Sequence, residues 1–249
     1  MWEHKTRSEI KEAVEKDSMV IITIGATEQH GPHLPVTTDN LIVNTVTNKS
    51  VKKASNYISI IQGPHIPFGY SPHHFLYAGA ISLSVQTLLT LLKEVIESIL
   101  KSGFKKVFIM NSHGGNDEII RIAAKDLSHE NQAQIGAASY WNLAYKSLQE
   151  YKKTENIYDV GHAGQFETSL LMKIAPELVQ SDHLKKQTKN RKKDNLVLEP
   201  IVRMDPGNIW EQMDGYSDEP LKASKEIGET LINIITDEIS KKLIKFYGG

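Results

Sequence analysis

Two short, largely apolar runs, MVIITI at Met19–Ile24 and KVFIM at Lys106–Met110, constrain this chain more than any other feature. A strand with one face in water alternates apolar and polar residues. An unbroken β-branched run instead suits a strand covered on both faces, as in a parallel sheet. Each run leads into an irregular polar segment and then into residues with helical periodicity. Tyr57–Gln62 and Gln134–Ala138 read as further strands. Helices are predicted over Ser8–Lys16, Leu41–Lys53, Val85–Lys101 (stopping at Gly103), Glu118–Leu127, His162–Ile174 and Glu226–Lys245. Thr37, Thr38 or Asp39 is available to cap the second of these. Strands alternating with helices predict an α/β fold whose mostly parallel sheet has helices on both faces. No internal repeat or low-complexity tract interrupts it, and the basic stretch Lys185–Asn195 is expected to be a solvated loop.

Bulk properties narrow the function. The 249 residues are long enough for a substantial core. A formal net charge of -1 gives no general reason to expect nucleic acid or an anionic membrane as partner. There is no cysteine, which excludes disulfides, thiolate metal sites and a Cys nucleophile. The charged N-terminus does not resemble a signal peptide, and no apolar run approaches the ~20 residues that span a bilayer. The expectation is a cytoplasmic protein.

Seven of the ten histidines (His30, His33, His65, His73, His74, His113 and His162) fall in the irregular Gly/Pro-rich segments. Open α/β sheets bind ligands in such segments, beyond the carboxyl ends of their strands. Glu28 and His30 lie two apart just past a predicted strand, so in extended chain their side chains share a face. Asp39 follows a loop stiffened by Pro32 and Pro35. His113 follows another strand and precedes Gly114 and Gly115, which permit a tight turn beside a ligand. Two carboxylates and two imidazoles suit Zn²⁺, Mn²⁺ or Fe²⁺, and a carboxylate such as Asp39 can bridge a pair of cations.

Five blocks, in order, resemble the creatininase family: GATEQHGPHLPVTTD (Gly25–Asp39), GYSPHHFLYAGAISL (Gly69–Leu83), NSHGGN (Asn111–Asn116), HAGQFETS (His162–Ser169) and GYSDEPLKASKEIG (Gly215–Gly228). The resemblance covers most of the chain. It implies one three-layer α/β/α sandwich domain over residues 1–249, closed into a homo-oligomer, commonly a hexamer. It implies two divalent cations per subunit, with zinc ahead of manganese or iron. Glu28, Asp39 and His113 would hold one, and His30 and Asp39 the other. His162 matches a histidine implicated in proton transfer, and Glu167 an acidic residue of the same site. For both to serve one site, His162 must lie before or at the first turn of its helix. His74 and Ser71 are expected near the substrate, as are Gly114 and Gly115.

There are departures from the family pattern. Creatinine-hydrolysing members carry an aromatic residue and a metal-binding glutamate where this chain has Gly114 and Gly115. The second cation would therefore need Glu167 or water to complete its shell. The usual FPGT appears as YAGA (Tyr77–Ala80), and His73 is extra. These differences argue against creatinine as substrate and resemble the broader branch of formamide deformylases and peptidases that trim cofactor-precursor peptides.

The implied reaction is cleavage of a C–N bond in a small amide, formamide or lactam, with a metal-bound hydroxide attacking the carbonyl carbon and His162 protonating the leaving nitrogen. A peptidase acting on a precursor peptide is the alternative. Two other readings compete. A serine hydrolase would use Ser71 or Ser112, although the G-x-S-x-G elbow is absent. A non-catalytic metal-binding assembly module would keep the ligands without turnover. Trp210 is expected to pack locally, with a neighbouring subunit's pocket as the other possibility.

Overall fold

The computed structural model describes residues 1–157, 159–184, 197–198, 202–203 and 209–249. The expected loop at Lys185–Asn195 lies outside them. The main elements in chain order are α1 (Arg7–Glu15), β1 (Met19–Ile24), α2 (Thr38–Ala54), β2 (Ile60–Ile66), α3 (Val85–Lys101), β3 (Lys106–Asn111), α4 (Asp117–Asn131) and β4 (Gln134–Ser139). There follow α5 (Tyr140–Leu143), α6 (Tyr145–Glu155), α7 (Gln165–Ile174), β5 (Val197–Leu198), β6 (Val202–Arg203), α8 (Ile209–Gln212) and α9 (Lys225–Gly248).

The four long strands form one parallel sheet in the order β2-β1-β3-β4. All six residues of β1 are buried, as expected of a central strand with helices on both faces. Successive side chains of a strand point to opposite faces, and the cores divide accordingly. Met19 and Ile21 of β1 and Phe108 and Met110 of β3 pack with residues of α2, α7 and α9. Val20, Ile22, Ile24, Val107 and Ile109 pack with α1, α3 and α4. The result is an α/β/α sandwich. The short strands β5 and β6 pair antiparallel apart from this sheet.

Several elements differ from the sequence expectation in ways that matter for the site. Strand β2 runs to Ile66, past the expected end at Gln62, and its register with β1 shifts between Ile21 and Thr23. Thr37 is the N-cap of α2 but makes no side-chain cap bond, so Asp39 sits in the first turn and its carboxylate is not used as a cap. Helix α7 begins at Gln165, leaving His162, Ala163 and Gly164 as a turn before it. The chain crosses from β1 to β2 on one side and then to β3 on the other. The crevice between the carboxyl ends of β1 and β3 is thus the switch point at which open sheets bind ligands.

Candidate metal centre

That crevice receives Glu28 and His30 from the loop after β1, Asp39 from α2, His113 from the end of β3 and Glu167 from the first turn of α7. All five are buried, with at most 6% of each accessible. The carboxylate of Asp39 lies between two imidazoles: its Oδ2 is 3.4 Å from Nδ1 of His113 and its Oδ1 is 3.4 Å from Nε2 of His30. On the first side Glu28 Oε1 is 3.1 Å from His113 Nδ1. On the second, Glu167 Oε2 is 3.6 Å from His30 Nε2. Two ligand sets therefore share Asp39. Glu28, Asp39 and His113 form one, and His30, Asp39 and Glu167 the other, with the ligand atoms of each within 4.8 Å of one another.

Neither oxygen of Glu28, nor Asp39 Oδ2, nor His30 Nε2 makes a hydrogen bond, although each is buried. Unpaired buried polar atoms are costly, on the order of 1–3 kcal/mol each and more when charged. Here they converge, lone pair toward lone pair, on common points. The outward ring nitrogens are occupied: His30 Nδ1 is 3.2 Å from the Glu28 carbonyl and His113 Nε2 is 3.0 Å from the Tyr70 carbonyl. A carbonyl only accepts, so each of those nitrogens is the N–H and the inward nitrogen is free to ligate. The donor set and its orphaned atoms fit two divalent cations.

Without cations the charges respond strongly to each other. Burial alone would raise the pKa of Glu28, but the facing His113 and His74 outweigh it and hold the group well below the usual carboxylate range. Burial opposes charge on His113, yet Glu28 and Asp39 raise it well above an ordinary imidazole. His30 rises to about 9 because Glu167 and Asp39 overcome its burial. Glu167 rises to about 8 through burial, with His30 pulling it down and Asp39 pushing it up. His162 is held well below its usual value by burial and by the neighbouring His30 and His74, so it is neutral.

Local sequence explains why these side chains arrive. Asn111 donates to the His113 carbonyl (2.6 Å) and to Ser139 Oγ (2.8 Å), and its Oδ1 accepts from the His113 N–H (3.1 Å). Asn116 donates to the Gly25 carbonyl (3.0 Å), which ties the ends of β1 and β3 together. Ser112, a possible nucleophile on sequence, donates its hydroxyl to the Asp39 carbonyl (2.8 Å) and so steadies a ligand. Ala163 takes a left-handed φ of 51°, which lets its N–H donate to Glu167 Oε2 at 2.6 Å. Such a conformation costs roughly 1–3 kcal/mol for a non-glycine residue. The Ser217–Asp218 pair holds it: Ser217 Oγ accepts from His162 N–H (2.7 Å) and Asp218 Oδ1 from Gln165 N–H (2.7 Å).

A cavity of about 180 Å³ opens over the cluster, walled by His73, His74, Gly114, Gly115, Trp141, His162 and Trp210 among others. His162 Nδ1 is 3.6 Å from Glu28 Oε1 and His74 Nε2 is 3.3 Å from the same oxygen. Trp210 packs within its own chain, its ring 4.5 Å from that of His74 and 4.7 Å from that of His162. Ser71, in contrast, is fully buried and is not part of the cavity wall. Of the other clustered histidines, His33 bonds Thr168 (2.9 Å) and His65 bonds Thr23 (2.9 Å), both structural roles.

The adjacent glycines are not equivalent. A Cβ on Gly114 would meet nothing within 4 Å, whereas one on Gly115 would stand 2.2 Å from the Tyr70 carbonyl and 2.5 Å from His113 Nε2. Gly114 leaves the cavity open; Gly115 permits the hydrogen bond that sets the His113 tautomer.

Comparison with known proteins identifies the family. The family model described as creatininase, creatinine amidohydrolase, matches residues 3–243. A mycofactocin precursor peptide peptidase from Mycobacterium ulcerans is 34% identical over 170 residues, 66% of this chain and 62% of that protein. The chain thus spans about 62% of the length of the mycofactocin relatives it matches. A creatinine amidohydrolase from Pseudomonas putida is 27% identical over 184 residues, 68% of each chain. The solved structure described as "Creatininase Mn" superposes with a TM-score of 0.82 at 22% identity, covering 99% of this chain and 98% of that one, a likeness of fold. This chain belongs to the creatininase family.

Proposed function

We propose that this chain is a two-metal hydrolase that cleaves the C–N bond of a small amide, formamide or lactam. The single observation that carries the reading is Asp39, buried between two ligand sets with one oxygen toward each. Glu28, Asp39 and His113 would hold one divalent cation and His30, Asp39 and Glu167 the other. Zinc is our first expectation, with manganese or iron as alternatives. Cations bound there supply Lewis acidity, lowering the pKa of water to about 7 and offsetting negative charge that develops on a carbonyl oxygen.

The chain's own groups do the rest. His162 is neutral, and its Nε2 lies 2.8 Å from the Gln29 carbonyl and 3.0 Å from the Gln29 side-chain nitrogen. The nearer carbonyl only accepts, so the hydrogen sits on Nε2 and Nδ1 faces the cavity as a proton acceptor. It can take a proton from the attacking water and return it to the leaving nitrogen, which must be protonated to depart as an amine. Gly114 and Gly115 leave the wall beside His113 free of side chains, and the cavity volume suits a small molecule or the end of an extended peptide. The peptidase reading is the second one, favoured by the relative from Mycobacterium ulcerans.

The purified protein should carry two divalent ions per chain, and a panel of formamides, lactams and short peptides should reveal turnover that chelators abolish. His162→Ala should retain both ions yet lose roughly 10²–10⁴-fold in turnover. Metal binding with no turnover on any class would favour an assembly module, and chelator-insensitive turnover would revive a serine mechanism. We also place the protein in the cytoplasm as a homo-oligomer. Among the described residues no helix is long and apolar enough to cross a membrane. Exposed Phe68, Phe75, Leu76, Ile81 and Val85, all in the segment that carries His74, offer an apolar surface for self-association.

A further inference from the structure

Three histidines at the cluster follow one pattern, and His74 departs from it. His30, His113 and His162 each direct one ring nitrogen at a backbone carbonyl, of Glu28, Tyr70 and Gln29 respectively, at 3.2, 3.0 and 2.8 Å. Each therefore keeps a hydrogen on the outer nitrogen, leaving the inward nitrogen as the one a cation or a proton can occupy. His74 instead places Nδ1 3.0 Å from Nε2 of the Gln29 side chain. That amide cannot be turned round, because its Oε1 already accepts from the Gly31 N–H at 2.9 Å. Gln29 Nε2 is thus a donor with two ring nitrogens 3.0 Å away, His74 Nδ1 and His162 Nε2. His162 Nε2 is nearer to the Gln29 carbonyl, at 2.8 Å, and gives its hydrogen there, so the side-chain amide donates to His74 Nδ1, which accepts. The hydrogen of His74 is left on Nε2, which is buried at the cavity wall, makes no hydrogen bond and faces the Glu28 carboxylate 3.3 Å away.

We propose that Gln29 is a positioning residue that fixes His74 as an Nε2–H donor, so that His74 offers a hydrogen bond to an acceptor oxygen of the bound substrate. The substrate half of this statement rests on the hydrolase reading; the tautomer half does not. The assignment separates His74 from the cation ligands. Glu28, His73 and His74 bring their ligand atoms within 4.8 Å of one another, but an Nε2 that bears hydrogen has no lone pair to give. One residue between two metal ligands in the sequence thereby serves both neighbouring rings. Its carbonyl makes His162 an acceptor toward the cavity, and its amide makes His74 a donor.

The test is ¹⁵N NMR of the histidine rings in the zinc-loaded protein, where a nitrogen bearing hydrogen and one bearing a lone pair resonate far apart. A His74→Asn spectrum identifies the His74 signals. The wild type should show His74 with its hydrogen on Nε2. Gln29→Glu keeps the size of the side chain and the acceptor for Gly31 but has no hydrogen to donate, so the His74 hydrogen should move to Nδ1. Gln29→Leu should leave His74 as a mixture. In both variants His162 should keep its hydrogen on Nε2, because it bonds to the backbone of residue 29. A wild-type His74 with its hydrogen on Nδ1, or a variant with it still on Nε2, would overturn the proposal. The readout needs no turnover, so this result and a failure of the hydrolase reading are distinguishable.

Discussion

The two halves of the cluster meet at Asp39 but are built differently. Apart from the shared Asp39, the His113 side draws its ligands from the segments just past two adjacent, hydrogen-bonded strands. Asn111 and Asn116 lock their backbones, and Glu28 is ionised far below neutral pH. The Glu167 side depends on a left-handed alanine held in place by a distant segment, and its carboxyl keeps a proton to about pH 8. One set is preorganised by the sheet; the other must be assembled and deprotonated. A ligand site preorganised in this way binds more tightly, because less ordering and less proton release remain at the moment of binding. The His113 side should therefore hold the tighter ion.

The most damaging way to probe this division is to remove what the halves share. Asp39→Asn should strip both ions, and turnover should fall by on the order of 10³-fold, as when a principal electrostatic element is lost; elemental analysis alongside activity checks it. Next come the unshared carboxylates. Glu167→Gln should leave one ion bound and weaken the other by roughly 10–100-fold, a range set by analogy with the loss of a supporting interaction at metal sites. Glu28→Gln should weaken the tight ion instead. If both variants lost the same ion, the division would be wrong.

Gly115→Ala should cost about 1–3 kcal/mol in denaturant unfolding, because the new methyl group must displace the Tyr70 carbonyl or His113. It should loosen the first ion while sparing the second. Gly114→Ala should stay within roughly 0.5 kcal/mol of wild type.

The smallest effect is one of pH. Below about pH 8 both His30 and Glu167 hold protons that the second ion must displace. The first must displace one from His113, since Glu28 is already ionised. Each additional proton displaced costs about tenfold in affinity per pH unit. Calorimetric titrations between pH 6 and 8 should show the second binding step weakening more steeply as pH falls. Equal slopes would remove the distinction.

The scaffold was largely legible because burial on both faces leaves a plain mark: β1 and α3 fall where the apolar run and the leucine spacing predict. Glu28, His30, Asp39 and His113 were legible as a group because each lies just past a strand or opens a helix. Glu167 was less so. Its place in the second set depends on the turn at Ala163, and nothing in the residue type announces a left-handed alanine. The cap role weighed for Asp39 illustrates the same limit, since a helix-start aspartate reads alike whether it caps the helix or faces a cavity. Gln29 carried no signal at all as an amide between two better-known ligand types. Only the position of its side chain relative to Gly31 and His74 reveals its part.

The tight approach at Gly115 also limits which neighbouring sequences this protein can reach by single changes. A glutamate there would have to enter space already held by the Tyr70 carbonyl and the His113 ring. The segment around Tyr70 must shift before a carboxylate at that position becomes tolerable. In a saturation library position 115 should therefore behave epistatically, intolerant alone and permissive only in backgrounds that remodel residues 69–71, while position 114 diversifies freely.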